Sequence, residues 1–292
     1  MDKQLTVLVT GATGNQGGAV ANALLDRGHK VKALTRNTDS PSSRKLAALG
    51  AEPVQVDLGD VESVSRALQS VDTFYLMGSP FEIGVEGETQ QGIALANAAR
   101  TANVGHLVYG SVANADLNTE IPHFDSKHKV EQHIKSLDIP YTISAPVYFM
   151  DNVIAPWSID SLKQGKIVQA MPPDRLLQQV SVKNIGEFVA SLINRREAVF
   201  GQRYDFAGDE LTGKECAKIL SEKTGRTISF EGFPASVLKE QDADMGEMFE
   251  WFDSIGYNVD LSALHGEFRD VSWQKYSEWV ESLDWSSLKS SI

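Results

Sequence analysis

The chain has one cysteine, Cys216, in 292 residues. A single thiol cannot close an internal disulfide, and a multi-cysteine metal site is excluded. Histidines do not fill that gap. There is no HExxH or comparable cluster: His29 falls in a turn, His106 precedes a strand, and His128 and His133 stand off the apolar face of their helix. No metal site is expected. Long apolar runs are missing too. The strand-like segment 5–9 is far too short to span a bilayer and lacks the form of a secretory signal, so a soluble, cytoplasmic protein with no membrane contact is expected. Positive charge is scarce: 27 Lys and Arg stand against 39 Asp and Glu, for a net charge of −12. That field repels a phosphate backbone, no local basic patch offsets it, and direct nucleic-acid binding is not expected. Residues 231–270 are the most acidic stretch, with only Lys239 and Arg269 as basic side chains, and read as a solvated face.

What is present is an alternation of short β-branched runs and longer helical patterns, the mark of a parallel sheet covered on both faces. Strands are expected at 5–9, 30–35, 52–56, 73–77, 107–109 and 141–145. Helices are expected at 19–27, 41–49, 61–68, 89–102 and 125–137. This is an α/β chain with a Rossmann-type, doubly wound parallel sheet, its dinucleotide-binding core spanning residues 1–150. Residues 151–292 read as a mixed region that returns one strand, 201–207, to the main sheet. The rest of it forms a smaller, mostly helical lobe for a substrate or partner. There, helices are expected at 153–164, 212–224, 235–241, 245–255 and 273–283, with a short strand at 227–230.

Ligands of such sheets lie beyond the C-terminal strand ends. The first strand runs into Gly11, Ala12, Thr13, Gly14, Asn15, Gln16 and Gly17. Gly11 permits the tight turn, Gly14 lets a pyrophosphate approach the backbone, and Gly17 lets the next helix pack against the sheet. Free N–H groups at that helix start suit a diphosphate. The motif sits between a strand and a helix, which is the context it requires. At the second strand end, where an NAD site usually has a carboxylate, stands Arg36, which either pairs with a 2′-phosphate, pointing to NADP(H), or only stacks on the adenine. Asp39 is an alternative acceptor, and Lys45 either a second phosphate contact or a solvated residue. Asp57 accepts from an adenine amino group or caps the helix after it, and Leu58 covers the ring. Met77, Gly78 and Ser79 leave room for ribose and diphosphate.

Ser111 ends the fifth strand, as a holder of a carbonyl oxygen near the nicotinamide or as ordinary turn chemistry. In the following helix His123, Lys127, Val130, Ile134 and Leu137 share one stripe. A lysine on a face that should be buried needs an anionic or hydroxyl-rich partner, and a nicotinamide ribose meets that need; otherwise its stem carries the charge out to water at the helix start. His123 reads as a proton donor or as a polar residue ahead of the helix. Val147, Tyr148, Phe149 and Asn152 follow the sixth strand as a wall and anchor over the nicotinamide, with a place in the core as the alternative for Tyr148. Phe249, Trp251, Phe252 and Tyr257 either line an apolar cleft or pack a core. Ser111 lacks a GxSxG elbow, so hydrolase chemistry is not expected.

Together, residues 9–18, 35–37, 123–127, 147–152 and 249–257 resemble the NmrA-like family, an atypical branch of the short-chain dehydrogenase/reductase superfamily. The resemblance covers most of the chain and implies binding of NADP(H) or NAD(H). Some members of the family sense nicotinamide redox state through protein partners, and related members reduce quinones or small carbonyl compounds. Ser111 and Lys127 match the superfamily's positions. Four residues before the lysine, where ordinary members carry tyrosine, this chain has His123. Alcohol dehydrogenation is therefore not implied. Hydride transfer to a quinone depends less on that tyrosine, because the product oxyanion is already delocalised. Redox-sensing members have a lysine in the helix after residues 77–79, and Gln90 stands at the matching position. The expectation is an NADPH-dependent reductase of quinones or small carbonyl compounds, with Lys127, Ser111 and His123 as catalytic candidates. The alternative is a non-enzymatic NADP(H) sensor that regulates a protein partner. A homodimer is left open.

Overall fold

The computed structural model describes residues 3–289. Its first half alternates as the residue pattern requires: β1 (Thr6–Val9), α1 (Asn15–Asp26), β2 (Lys30–Thr35), α2 (Pro41–Ala48), β3 (Glu52–Gln55), α3 (Val61–Ala67), β4 (Thr73–Met77), α4 (Pro80–Thr101), β5 (Leu107–Gly110), α5 (Pro122–Ser136) and β6 (Tyr141–Pro146). After these come β7 (Tyr148–Phe149), α6 (Ile159–Lys163), β8 (Lys166–Gln169), β9 (Leu176–Val180), α7 (Val182–Arg195), β10 (Arg203–Phe206), β11 (Asp209–Thr212), α8 (Gly213–Thr224) and β12 (Ser229–Gly232). The helices α9 (Ala235–Lys239), α10 (Ala243–Ser254), α11 (Leu261–Glu267), α12 (Tyr276–Ser282) and α13 (Ser286–Lys289) complete the order.

Seven strands form one sheet in the order β10-β6-β5-β4-β1-β2-β3, every pairing parallel. This is a Rossmann-type arrangement, with the order reversing beside β1. Both faces are covered, so strand residues alternate between two apolar layers rather than between core and water. Val7 and Val9 join α1 and α7 on one face, while Leu8 joins the layer of α3, α4 and α5 on the other. A three-stranded sheet, β11-β9-β7, and a two-stranded one, β12-β8, lie outside the main sheet.

Several boundaries differ from the sequence expectation. α1 starts at Asn15 rather than near residue 19, because Gly14 is an extended N-cap and Gly17 and Gly18 are helical. Glycine reads as turn, yet here it serves close packing: a Cβ at Gly17 would lie 2.3 Å from the Gly11 carbonyl oxygen. α4 starts at Pro80, with a break at Gly84 (φ 73°), and α5 at Pro122; in both, proline occupies the first turn, where its missing N–H costs nothing. The helix expected over 153–164 is a 3₁₀ turn, Met150–Ile154, and the short α6. Ala155 is extended (ψ 157°), as a residue before proline tends to be.

Residues 165–200, where no element is expected above, hold β8, β9 and α7. In α7, Val182, Ile185, Phe188, Val189, Leu192 and Ile193 are buried, and each fully buried side chain of this size contributes roughly 2 kcal/mol. α7 packs tightly on α1: a Cβ at Gly186 would lie 2.3 Å from the Ala19 carbonyl oxygen.

Candidate functional site

At the end of β1, Thr10 Oγ1 donates to the Met77 carbonyl (3.0 Å) and accepts from the Met77 N–H (2.7 Å), fastening the glycine turn to β4. Gly11 takes φ +61°, and the Gly14 N–H closes the turn on its carbonyl at 2.9 Å. Gly14 gives α1 no side-chain cap, so the helix's first N–H groups are left for a ligand. Gly11, Thr13, Gly14 and Asn15 are exposed, whereas Gln16 is half-buried and donates to Tyr75 Oη at 2.8 Å. A glycine cradle opening on an uncapped helix fits a diphosphate.

Arg36 is exposed at the end of β2 and pairs with Glu82 of α4 at 3.1 Å. Asp39 pairs with Arg44 at 3.5 Å, while Lys45 lies on the exposed side of α2. Asp57 is exposed and accepts the Gly59 N–H at 2.9 Å. It does not cap α3. That cap is Asp60, which accepts from Glu62 and Ser63 because it directly precedes the first helical residue. Leu58 is half-buried beside it.

Lys127 has the anionic partner that its place on a buried stripe demands, and that partner is a protein side chain. Its Nζ lies 2.5 Å from Glu88 Oε1 and 3.3 Å from the Gly78 carbonyl. Glu88 is 1% exposed and also accepts from Ser126 Oγ at 2.7 Å. The backbone at Gly78 lies close to the same carboxylate side chain: a Cβ there would meet Glu88 Cγ at 3.1 Å. Ser79 precedes α4 without capping it. Gln90 is exposed and donates to Glu86, away from this pair.

The Ser111 hydroxyl hydrogen is committed within the protein. The residue is buried and donates to Glu131 of α5. Glu131, fully buried, also accepts from Arg203 Nε at 3.1 Å, and Arg203 binds Asp205, the Val112 carbonyl and Asp116. Burial pushes the Asp205 carboxyl up to about 6, against the pull of Arg203 and of the Asn114 N–H. His123 lies inside the first turn of α5 rather than ahead of the helix. It is buried, and its Nδ1 is hydrogen-bonded to Asp244 of α10.

Beyond β6, Val147 is buried, while Tyr148, Phe149 and Asn152 are half-buried. Burial pushes the Tyr148 phenol up to about 12, against hydrogen bonds from Asn152 and Gln169. Phe249 and Phe252 pack edge-on to Tyr148 at 6.4 and 6.0 Å, and Trp251 packs on Phe124 at 6.1 Å and on Tyr257 at 5.4 Å. These aromatics form a core cluster, the packing alternative of the two expected above. A separate groove of about 820 Å³ runs along the outer side of α1, bordered by α2 and α7. Its lining meets the glycine turn at Ala12–Asn15 but includes none of Arg36, Ser111, His123 and Lys127.

The structure thus gathers Lys127, Gly78 and Ser126 around Glu88, ties Ser111 to Glu131, and joins His123 to Asp244. Glu88, Glu131, Arg203, Asp205 and Asp244 were not singled out from sequence. Glu88 had a signal: with Gly92, Leu95 and Ala99 it forms the buried stripe of α4, and a carboxylate on such a stripe asks for a cation just as Lys127 asks for an anion.

The sheet order, the glycine turn and the flanking helices define a Rossmann-type α/β protein. The chain belongs to the NmrA-like family, whose model matches residues 3–283. It is 31% identical to a (4-alkanoyl-5-oxo-2,5-dihydrofuran-3-yl)methyl phosphate reductase from Streptomyces griseus, over 77% of this chain and 76% of that one. Its fold is similar to that of Citrobacter sp. triphenylmethane reductase complexed with NADP(H): TM-score 0.79 and 22% identity, over 95% of this chain and 99% of that one. It is also similar in fold to an NADPH-dependent quinone oxidoreductase from Escherichia coli complexed with NADPH: TM-score 0.78 and 24% identity, over 94% and 99%. Among the described residues no helix is long and apolar enough to cross a membrane.

Proposed function

We propose that the protein is a cytoplasmic NADP(H)-dependent reductase of quinones or small carbonyl compounds, residues 1–150 holding the dinucleotide and 151–292 forming the substrate lobe. The observation that carries this reading is a pair of features at the strand ends: a glycine turn opening on an uncapped α1, and Lys127 with its ammonium on the Gly78 carbonyl at the end of β4. In this reading the N–H groups of residues 13–17 take the diphosphate. Arg36 exchanges Glu82 for the 2′-phosphate, and Asp57 and Leu58 flank the adenine. Met77, Gly78 and Ser79 floor the cleft, Lys127 holds the nicotinamide ribose, and Val147, Tyr148, Phe149 and Asn152 wall it. When bound, NADPH supplies a hydride to the acceptor. Glu88 fixes Lys127 in place and offsets its charge, and Glu131 holds Ser111 at the end of β5. The reductase names of the Streptomyces relative and of the two structural neighbours support the reading. The test is NADPH oxidation across a panel of quinones, aldehydes and ketones. Turnover above background is expected, and none with any acceptor defeats the reading.

One observation favours a second reading, a non-enzymatic NADP(H) sensor. His123, one turn from Lys127, is bonded to Asp244 of the acidic lobe, so a change at the ribose end has a direct route to a surface suited to a basic protein partner. Cofactor-dependent binding of a partner is expected on that reading, and identical binding with and without NADP(H) counts against it.

A further inference from the structure

We propose that His123 and Asp244 form a proton-delivery dyad: His123 is the acid that protonates the reduced acceptor, and Asp244 is the residue that positions it. The proposal rests on the reductase reading and names the group that reading leaves open.

His123 precedes Lys127 by four residues, so both side chains lie on one face of α5, a turn apart. The His123 side chain is 10% exposed, with the Phe124 ring edge-on to it at 4.9 Å and the Phe81 ring at 6.5 Å. Its Nδ1 meets Asp244 Oδ1. Asp244 sits in the first turn of α10, whose own cap, Asp242, accepts the Met245 N–H at 3.1 Å. The carboxylate is thus carried by a capped helix of the other part of the chain.

A carboxylate only accepts, so Nδ1 carries the hydrogen, and every proton the ring takes or gives passes through Nε2. Among the described residues Nε2 has no hydrogen-bond partner. Unlike Nδ1 of His106 and of His128, which are buried without a hydrogen-bond partner, it is not shut off from solvent. An oriented imidazole with one nitrogen held by a carboxylate and the other open is the arrangement in which histidine relays protons in unrelated active sites.

The neighbouring hydroxyls lack this freedom. Ser111 has given its hydrogen to Glu131, which is fully buried. Tyr148 is a poor acid, because burial pushes its phenol up to about 12.

The step balances. Hydride adds to the electrophilic carbon, and the carbonyl π pair moves to oxygen. That oxygen takes the Nε2 proton, and the N–H bonding pair stays on the ring. The ring is left neutral, with Nδ1–H still on Asp244, and solvent returns a proton to Nε2. Acceptor, NADPH and one proton give reduced acceptor and NADP⁺. The proton matters most where charge lands on a localised alkoxide, as from an aldehyde or ketone, and least where a quinone ring spreads it.

The experiment uses the full chain with NADPH and two acceptor panels, simple aldehydes and ketones in one and quinones in the other. Asp244→Asn should lower kcat for the carbonyl panel by about 100-fold with KM changed less than about threefold, the size of a lost general acid. On quinones it should cost under about tenfold, and NADPH Kd should move less than about twofold. His123→Gln should show the same pattern, and the double variant should be no worse than either alone, as for residues that act as one unit. Asp244→Glu should restore part of the carbonyl rate. Without cofactor, ¹⁵N NMR of the neutral His123 ring should show the hydrogen on Nδ1 in the parent and a mixture of tautomers in Asp244→Asn. A neutral parent ring with its hydrogen on Nε2 overturns the proposal, as does an Asp244→Asn variant that matches the parent on carbonyls. A parent that binds NADPH yet turns over neither panel overturns the reductase reading and the dyad with it.

Discussion

Lys127 of α5 and Glu88 of α4 form an ion pair 2.5 Å long, with their side chains 12% and 1% exposed. The two helices can meet this closely because Gly92 leaves space for Val130, where a Cβ would come within 2.8 Å. The pair lies beside the end of β4, held to it through Gly78.

Removing one member of such a pair leaves an uncompensated charge, and the cost exceeds what the intact pair contributes. Lys127→Met should destabilise the fold by about 3 kcal/mol, since Glu88 is left buried with Ser126 as its remaining side-chain partner. Glu88→Leu should cost less, because Lys127 can turn toward the cleft. The double variant should recover most of the loss. Urea unfolding of all four proteins measures the cycle, and single costs that simply add would show that the pair is not coupled.

The same pair shows what the sequence disclosed and where it stopped. The strand-and-helix rhythm of residues 5–146 was legible because both faces of the sheet are buried and glycine or proline punctuates every turn but the one between α3 and β4. Lys127 stood out as a cation on an apolar stripe. Its partner went unread because α4 was expected to begin near residue 89, one position too late to place Glu88 on the stripe. Ser111 and His123 were found by position, but a position does not say where a hydroxyl donates or which carboxylate another helix brings. Glu131 and Asp244 answer that, and the second lies 121 residues away in sequence. α7 was missed as well. Its apolar spacing is clear, and Gly186 within it is the contact point with α1.

Asp205 makes stability depend on pH in an unusual direction. Burial raises its carboxyl from 3.8 to about 6, so between those values the folded chain holds a proton that the unfolded chain has released. Stability therefore falls as pH rises through that interval, and is flat below and above it. Relative to Asp205→Asn, which does not titrate there, the parent should lose about 2–3 kcal/mol between pH 4 and pH 7. Denaturant midpoints of both proteins at pH 4, 5.5 and 7 give the difference. A parent that gains on the variant as pH rises would mean that Arg203, not burial, governs the group.

Arg36 and Glu82 are both exposed, so their pairing contributes little to stability and is easily exchanged. On the NADP(H) reading, Arg36→Ala should weaken NADPH binding by about 10- to 100-fold, the loss of one charge-assisted contact, and NADH by no more than about twofold. Glu82→Gln should act the opposite way and tighten NADPH by up to about fivefold, because it removes a competing carboxylate. Titration calorimetry with both cofactors reads both variants. Equal losses for NADPH and NADH in Arg36→Ala would show that this side chain does not read a 2′-phosphate.

Two glycines of the turn after β1 should fail in different ways. A Cβ at Gly17 would sit 2.3 Å from the Gly11 carbonyl oxygen and 2.5 Å from that of Thr10, both backbone atoms that cannot move without unseating α1 from β1. Gly17→Ala should therefore lower the melting temperature by several degrees, as a strained substitution at a packed contact does. At Gly14 the nearest atom to a Cβ is the Gly11 oxygen at 3.4 Å, an ordinary contact, and the residue is exposed. Gly14→Ala should melt within a degree or two of the parent yet bind NADPH at least about tenfold more weakly, because the methyl group occupies the surface a diphosphate must approach. Thermal melts and NADPH titrations on both variants separate the two effects. If Gly14→Ala keeps full affinity, the turn supports α1 and does not form the diphosphate site.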